Sequence, residues 1–295
     1  MDAQEVRQVR SFNRTLTEAI GVLDDRFLGQ SRPLGEARLL WEIGPEGAEI
    51  RALRGRLGLD SGYLSRVLRS LEQQGLVLVR ESPDDRRVRR ACLTEAGLAE
   101  RAELDRRSDD LALHILEPLS ERQRATLVAA MTEVERLVQA SMVQFAIEDP
   151  TTPDARWCLE QYFAEIDARF EAGYDPALGL PAGVRELTPP AGLFLVARLR
   201  DRPVGCGGFK LHGDASAELK RMWVAPDARG LGLGRRLLQE LERHAREAGA
   251  GVVRLDTNRA LTEAIALYRR SGYVEIDDFN AEPYANLWFE KRLSP

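Results

Sequence analysis

Apolar residues in the first half of the chain recur at spacings of three and four, the repeat of an amphipathic helix. Between residues 5 and 28 this stripe consists of Phe12, Leu16, Ile20, Leu23 and Phe27. Further helices are predicted at 33–43, 50–57, 60–74, 94–119 and 120–143, several of them bounded by glycine, proline or a capping residue such as Asp60. The pattern therefore predicts a mainly helical first half.

One segment of the first half breaks the helical repeat. Residues 76–93, with the sequence LVLVRESPDDRRVRRACL, place two β-prone runs on either side of a Pro-Asp-Asp turn. Such a pair of runs predicts a β-hairpin that directly follows two short helices.

The second half alternates between the strand repeat and the helix repeat, which predicts an α/β domain. Strands are predicted at 142–147, 192–200, 203–211, 216–225, 251–256, 273–276 and 286–292. Helices are predicted at 153–171, 233–248 and 261–270, and the proline-rich segment 173–191 is predicted to be a loop. Because 295 residues suffice for two cores, we expect two domains, 1–146 and 147–295, joined by a short linker.

Composition limits the class of protein. Hydrophobic residues make up 44% and charged residues 30%, as in water-soluble globular proteins. No stretch approaches the roughly 20 apolar residues that span a bilayer, and the charged start does not resemble a signal peptide. We therefore expect a cytoplasmic protein without membrane contact. The three cysteines are too widely spaced for a disulfide framework or a zinc site, so we expect small buried side chains and no metal.

The net charge of −5 conceals a basic segment. Residues 51–90 carry ten arginines and five acidic residues, a local excess of five positive charges. Phosphate binding depends on the face that is presented to nucleic acid, so the negative total does not exclude DNA.

Two helices followed by a basic hairpin are typical of a winged helix-turn-helix, whose second helix enters the major groove. If Leu64, Leu68 and Leu71 of that helix face the core, its polar face points outward. The residues predicted to contact DNA are Ser61, Ser65, Arg66 and Arg69 on this helix and Arg86 and Arg87 at the wing tip.

The run 47–97, which includes the wing sequence Asp84-Asp85-Arg86-Arg87, resembles MarR-family regulators, and the resemblance extends over residues 5–145. It implies a homodimer built from the helices at 5–28, 94–119 and 120–143, which binds a palindromic double-stranded operator and responds to small ligands. The alternative is a winged helix that serves only as a protein-interaction module.

A glycine-rich loop, Arg229-Gly230-Leu231-Gly232-Leu233-Gly234, lies between a predicted strand and a predicted helix. Glycines let a phosphate approach the backbone, and the free N–H groups at a helix start attract anions. A dinucleotide fold would place such a loop after the first strand of a βαβ unit, and this context is missing.

The Arg-x-x-Gly-x-Gly pattern resembles the pyrophosphate loop of GNAT acetyltransferases. The resemblance covers residues 142–295 and includes Leu-Asp-Thr-Asn at 255–258 and Ala-Leu-Tyr-Arg-Arg-Ser-Gly-Tyr at 266–273. It implies an α/β fold with a mixed, mostly antiparallel sheet, and an enzyme that uses acetyl-CoA as co-substrate. The residues that it implies for acetyl-CoA binding are Met222 and Val224, through their backbone, and Arg229, Gly230, Gly232, Gly234, Arg235 and Asn258.

For catalysis, the resemblance places Tyr268 where it protonates the leaving thiolate and Glu218 where it removes the amine proton. Two alternatives remain open: His212 is the base, or Glu218 is a surface residue paired with Lys220 or Arg221. In the segment 277–288, the residues predicted to contact the acceptor are Phe279, Asn280 and Tyr284, although these side chains also fit a purely structural role.

The two halves together predict a bifunctional regulator that binds operator DNA and acetylates an amine, either a small molecule or a peptide. The alternative is a regulator whose acetyltransferase-like domain only senses acyl-CoA. Acetylation of a lysine in a protein at the DNA is a third hypothesis, which no local sequence feature supports.

Overall fold

The computed structural model describes residues 2–21, 32–83, 85–176, 178–180 and 182–293. They form two compact units, Met1–Thr132 and Glu133–Pro295. The first helix was predicted over residues 5–28 but spans only Ala3–Ala19 and has Ile20 as its C-cap, while residues 22–28 lie outside the described residues.

The first unit is mainly helical, as predicted. Its helices are α1 (Ala3–Ala19), α2 (Leu34–Ile43), α3 (Ile50–Leu57), α4 (Ser61–Gln73), α5 (Glu95–Leu116) and α6 (Glu121–Met142), which continues into the second unit. Its strands are β1 (Ala48–Glu49), β2 (Val77–Glu81) and β3 (Arg89–Leu93), which form an antiparallel sheet in the order β1-β3-β2. The predicted hairpin is confirmed, and the two-residue strand β1 is an addition that its length hides from sequence patterns.

The ends of α3 and α4 follow from local chemistry. Gly58 ends α3 in the left-handed conformation, with φ of 62°, which glycine adopts without steric cost. Asp60 then caps α4 by accepting a hydrogen bond from the backbone N–H of Tyr63 at 2.9 Å. The sharp turn between the two helices lets both pack their leucines into one core, which includes Leu53 and Leu64.

The second unit is an α/β domain. Its strands are β4 (Gln144–Ile147), β5 (Gly192–Leu199), β6 (Arg202–Leu211), β7 (Ser216–Val224), β8 (Val252–Thr257), β9 (Val274–Ile276) and β10 (Leu287–Arg292). Its helices are α7 (Pro153–Arg169), α8 (Leu233–Glu247) and α9 (Thr262–Arg270). A 3₁₀ turn at Val184–Leu187 interrupts the predicted loop. The predicted domain boundary between residues 146 and 147 lies within β4 and stays a prediction.

The seven strands form one mixed sheet in the order β4-β5-β6-β7-β8-β10-β9. Only the central pair, β7 and β8, runs parallel, so the sheet is mostly antiparallel, as expected. Along β5 the side chains alternate between two cores: Leu193 and Leu195 pack with α8 and α9, and Phe194 and Val196 pack with α7. In the described part of the chain, no helix is long and apolar enough to cross a membrane.

Candidate active site and nucleic-acid interface

The central parallel pair of the sheet opens into a gap. Strands β7 and β8 pair only from Ser216 to Glu218, opposite Val252 to Arg254. Beyond this point β7 continues for six residues and β8 for three without pairing to each other. The sheet therefore presents free backbone groups on facing strand edges, which an extended ligand can use.

A β-bulge in β7 shapes this opening. Cys206 of β6 lies opposite Trp223 and Gly208 lies opposite Lys220, so Arg221 and Met222 together face the single residue between them on β6. Arg221 takes the left-handed conformation, with φ of 59°, which is uncommon for a residue with a side chain. As a result, the consecutive residues Lys220, Arg221 and Met222 all line a cleft at the opening.

The larger of two clefts at the opening, here called the coenzyme cleft, has a volume of about 560 Å³. Of the residues predicted to bind acetyl-CoA, it is lined by Met222, Val224, Arg229, Gly230, Gly232, Gly234 and Arg235. Gly230 and Gly232 have φ of 77° and 71°, and Gly232 immediately precedes the first turn of α8. The free N–H groups of this helix start border the cleft, an arrangement that suits a pyrophosphate.

Arg229 already has protein partners. Its guanidinium forms a short ion pair with Glu165, and its Nε donates to the carbonyl oxygen of Val224 at 3.1 Å. Glu165 also accepts from the indole of Trp223 at 2.9 Å and pairs with Arg169 at 3.1 Å. These contacts fix the course of the loop after β7, so Arg229 positions the loop in addition to lining the cleft.

The smaller cleft, here called the acceptor cleft, has a volume of about 110 Å³. Its aromatic lining consists of Tyr162, Phe163, Phe170, Tyr174, Tyr268 and Tyr284. It shares six residues with the coenzyme cleft, among them Tyr162, Met222 and Tyr268, so the two clefts meet at these side chains.

Tyr268 lies at this junction and is 7% exposed. Burial raises the pKa of its phenol well above the ordinary value of 10, so the hydroxyl keeps its proton at neutral pH. Among the described residues, no hydrogen-bond partner occupies this hydroxyl. Tyr268 can therefore donate a proton into the junction.

In the first unit, α4 presents a polar face. Leu64, Leu68 and Leu71 are buried, and the residues that were predicted to face outward, Ser61, Ser65, Arg66 and Arg69, are exposed. The predicted amphipathic orientation of this helix is confirmed.

The exposed arginines of the protein differ in whether an acidic residue pairs with them. On α5 and α8, Arg106 and Arg243 form ion pairs with acidic residues one turn away. In the part of the chain that the structure describes, Arg66, Arg69 and Arg86 form no ion pair. At the wing, Arg87 pairs with Asp85 at 3.0 Å, while Asp84 lies outside the described residues.

Comparison with known proteins matches each unit to a family. The model "Acetyltransferase (GNAT) family" matches residues 152–273, and the model "MarR family" matches residues 35–88. An "IAA acetyltransferase" of Azospirillum brasilense is 39% identical over 37% of this chain and 74% of its own length. The "N-alpha-acetyltransferase RimI" of Mycobacterium tuberculosis is 35% identical over 43% of this chain and 76% of its own length.

The chain belongs to the GNAT acetyltransferase family. It is a fusion of a MarR-family segment with a GNAT acetyltransferase that uses acetyl-CoA. A solved structure, an acetyltransferase of the GNAT family from Staphylococcus aureus Mu50, is 18% identical and covers 52% of this chain and 99% of its own, with a TM-score of 0.45.

In the acetyltransferase, cationic side chains surround the carboxylate of Glu218, and its role as the base stays a prediction. It is 2% exposed and lines neither cleft. Its carboxylate contacts Lys220 at 2.7 Å, Lys210 at 3.2 Å and His212 at 2.9 Å. These neighbours outweigh the effect of burial and lower its pKa to about 2, so it is a weak proton acceptor at neutral pH. The alternative prediction of a surface residue is wrong because Glu218 is buried, although the predicted pairing with Lys220 is present. His212 is tied to this carboxylate and lines neither cleft.

The structure separates the other predicted contacts. Tyr284 lines the acceptor cleft, and its hydroxyl accepts from the backbone N–H of Asp175 at 2.8 Å. Asn258 borders the acceptor cleft and not the coenzyme cleft, and its amide donates to the carbonyl of Tyr284 at 2.7 Å. Phe279 and Asn280 line neither cleft. Phe279 lies 6.0 Å from the guanidinium of Arg254, and Asn280 donates to Glu218 at 3.0 Å.

Sequence reasoning missed several polar residues of the acceptor cleft, among them Lys220, Arg221 and Glu282. In a regular strand Lys220 and Arg221 point to opposite faces, so alternation assigns only one of them to the site. The signal that could have singled them out is the bulge, which the sequence does not reveal because Arg221 is not a glycine.

Proposed function

We propose that the C-terminal unit transfers the acetyl group of acetyl-CoA to an amine held in the acceptor cleft. The observation that carries this proposal is the position of Tyr268, a buried phenol at the junction of the two clefts. The glycine-rich loop, the start of α8 and the free edges of β7 and β8 together supply the contacts that a nucleotide-linked thioester needs.

Acetyl-CoA supplies an activated acetyl thioester when it is bound. The amine nitrogen forms a bond to the acetyl carbon, the carbon–sulfur bond breaks, and the amine loses a proton. The residues that hold the ligand are those of the coenzyme cleft, with Met222 and Val224 acting through backbone groups. Tyr268 donates its proton to the departing thiolate and so keeps negative charge from accumulating on sulfur.

For the proton of the amine we propose Glu282 in place of Glu218. Glu282 lines the acceptor cleft, and its carboxylate accepts hydrogen bonds from the backbone N–H groups of Leu180 at 2.8 Å and Tyr284 at 3.4 Å. Within the described ranges it forms no ion pair, so its negative charge is available to an ammonium group or to a water molecule beside it.

The test is thiol release from acetyl-CoA with a panel of small amines, amino acids and peptides. Tyr268→Phe removes one hydroxyl and should lower turnover by about 10²–10⁴-fold with little change in acetyl-CoA affinity. Tyr273→Phe is the matched control, because its ring lies 5.9 Å from that of Tyr268 but lines neither cleft. Equal loss in both variants would contradict the assignment of Tyr268.

The panel also separates catalysis from sensing. If no amine releases thiol above background, the enzyme hypothesis fails and the domain is an acyl-CoA sensor. In that case acetyl-CoA should change the affinity for operator DNA, since a ligand that prefers one DNA-binding state must bias the other site.

For the first unit we propose binding to a palindromic double-stranded operator by a homodimer, which makes the protein a transcriptional regulator. The exposed face of α4 and the wing support this proposal, because Arg66, Arg69 and Arg86 form no ion pair with the described residues. Arginine without an internal partner is free to form a fork on guanine or to contact phosphate. A winged helix that only binds proteins does not require such a face.

The test measures the affinity of a variant with both Arg66→Ala and Arg69→Ala for operator DNA. The operator is first selected from random sequences with the wild-type protein. Each side chain that contacts guanine should contribute about 1–3 kcal/mol of binding free energy. Arg106→Ala is the matched control, since Arg106 is an exposed arginine on α5 that is already ion-paired. Arg86→Ala at the wing should also reduce the dependence of binding on salt. Unchanged affinity in all of these variants would contradict DNA binding through this face.

A further inference from the structure

The guanidinium of Arg221 is an unusual feature of the acceptor cleft. Arg221 lines the cleft at the β7 bulge, donates from Nη2 to the carbonyl oxygen of Ala182 at 2.6 Å, and lies 5.4 Å from the ring centre of Phe163. Within the residues that the structure describes, no carboxylate pairs with it. Burial lowers its pKa, which shows that its surroundings do not fully compensate the charge.

Three other sheltered cations of the same unit have acidic partners, whereas Arg236 donates to the backbone carbonyl oxygens of Ala140 and Val143. Lys220 contacts Asp256 at 2.6 Å and Glu218 at 2.7 Å. Arg198 pairs with both Glu148 and Asp154, and Lys291 pairs with Glu242 at 2.7 Å. A cation that is withdrawn from water without an acid is costly unless a ligand supplies the anion. Arg221 thus differs from Lys220, the other cation of the acceptor cleft, in that no described acidic residue pairs with it.

We propose that the acceptor amine also carries a carboxylate and that Arg221 binds this group. The inference rests on the proposed acetyl transfer and names the class of its acceptor: amino acids and related amino carboxylates. Two features of the cleft agree with it. Glu282 gives the cleft a negative group for the ammonium end, and the aromatic rings of Phe163, Tyr174 and Tyr284 accommodate an apolar side chain.

The conformation of Arg221 supports a ligand-binding role over a structural one. A left-handed φ is sterically unfavourable for arginine, and such conformations accumulate where a site needs a side chain in a particular direction. One hydrogen bond to the Ala182 carbonyl occupies a single donor of the five that a guanidinium carries, which leaves its other nitrogens for a carboxylate.

The experiment compares matched acceptors that differ only in the carboxylate: phenylalanine with 2-phenylethylamine, and leucine with 3-methylbutylamine. The wild-type protein should acetylate the amino acid of each pair with a kcat/KM on the order of 10²-fold higher, as expected for a sheltered charge-assisted pair. Arg221→Met should abolish this preference by raising the KM for the amino acid, while the KM for acetyl-CoA stays unchanged. Arg221→Lys should retain part of it, because it keeps the charge without the fork.

Arg202→Met is the matched control, since Arg202 lies at the exposed start of β6 and pairs with Asp227. It should keep the wild-type preference. If the wild-type protein acetylates both members of each pair equally, the proposal is overturned and the acetyltransferase function stands. If it acetylates neither these nor any other amine, both the proposed acetyl transfer and the proposed binding of a carboxylate by Arg221 are contradicted. The wild-type comparison decides the question even if Arg221→Met does not fold, and acetyl-CoA binding measured by calorimetry reports on its folding.

Discussion

At the scale of single residues, five polar side chains from β7, β8, β10 and the segment after β9 share one network. Glu218 and Asp256 both contact the ammonium of Lys220, and Asn280 donates to both carboxylates at 3.0 Å. The indole of Trp288 donates to the oxygen of Asn280 at 2.9 Å. Because every member is satisfied by another, the network fixes the strand positions around the acceptor cleft.

Glu218→Gln tests this structural role. The pKa of Glu218 is lowered from 4.5 to about 2, so its contribution is complete above about pH 4.5 and is lost as the pH falls toward 2. At pH 7 the variant should lose up to about 3 kcal/mol of unfolding free energy, and the difference from wild type should shrink at pH 3. Urea unfolding at both pH values measures this.

Glu240→Gln, which alters an exposed ion pair with Arg243, should change stability by less than about 1 kcal/mol. If Glu218→Gln instead removes activity at full stability and shifts the pH profile near neutrality, Glu218 is the base after all.

Which site residues could be foreseen depended on whether they act through the backbone or through a side chain. The glycines at 230, 232 and 234 were predictable because a tight turn before a helix leaves few residue types for those positions. Glu218 could be assigned to β7, but its chemistry depends on Lys210, Lys220 and His212, whose convergence is a tertiary property. The same applies to Asn280, whose partners come from three strands.

At the scale of secondary-structure elements, the start of β5 shows how closely two segments approach. A Cβ on Gly192 would lie 2.1 Å from the carbonyl oxygen of Phe209 and 2.2 Å from that of Glu186. Both are backbone atoms, so neither can move aside without disturbing the β5–β6 pairing or the 3₁₀ turn. Glycine is therefore a steric requirement at this position.

Gly192→Ala should destabilise the protein by about 1–3 kcal/mol or more, because overpacking forces the backbone apart. Gly213→Ala is the control, since a Cβ there meets nothing within 4 Å and its φ is not left-handed. Thermal unfolding of both variants measures the difference. Equal melting temperatures would show that β5 and β6 can separate without cost.

Helices and strands were predictable over most of the chain, because the spacing of the apolar residues agreed with the positions of the glycine, proline and capping residues that bound each element. Helix α3 was predicted to the residue, since Gly58 ends it and Ile50 begins its apolar face. The strand β1 and the bulge at Arg221 could not be predicted. Both depend on which strand lies alongside, and neither leaves a periodic trace of its own.

At the scale of the whole molecule, α1 and α6 differ from the other α-helices because neither contains a buried residue. Both nevertheless carry exposed apolar side chains: Val6, Val9 and Phe12 on α1, and Val128, Met131, Val134, Leu137, Val138 and Met142 on α6. Apolar surface of this extent on two helices supports the proposed homodimer through these elements.

The double substitution Val128→Glu and Met131→Glu should convert a dimer to a monomer, because burying two carboxylates in an apolar interface is strongly unfavourable. Val274→Glu is the control, as Val274 is 62% exposed on β9, at the edge of the sheet. Sedimentation analysis across a concentration series distinguishes the two states. A protein that is monomeric before substitution would contradict the dimer, and operator binding should then be non-cooperative.

The gap between β7 and β8 also affects how the second unit unfolds. Three residue pairs join two groups of strands, β4 to β7 on one side and β8 to β10 on the other, while β6 pairs far more extensively with both its neighbours. Backbone ladders transmit cooperativity, so this junction is the place where the sheet can divide into two subglobal opening units. Amide hydrogen exchange should therefore show different protection in strands β4 to β7 and in strands β8 to β10. A ligand that bridges the two strand edges would remove this difference in protection, so that the amides of both groups of strands exchange with similar protection.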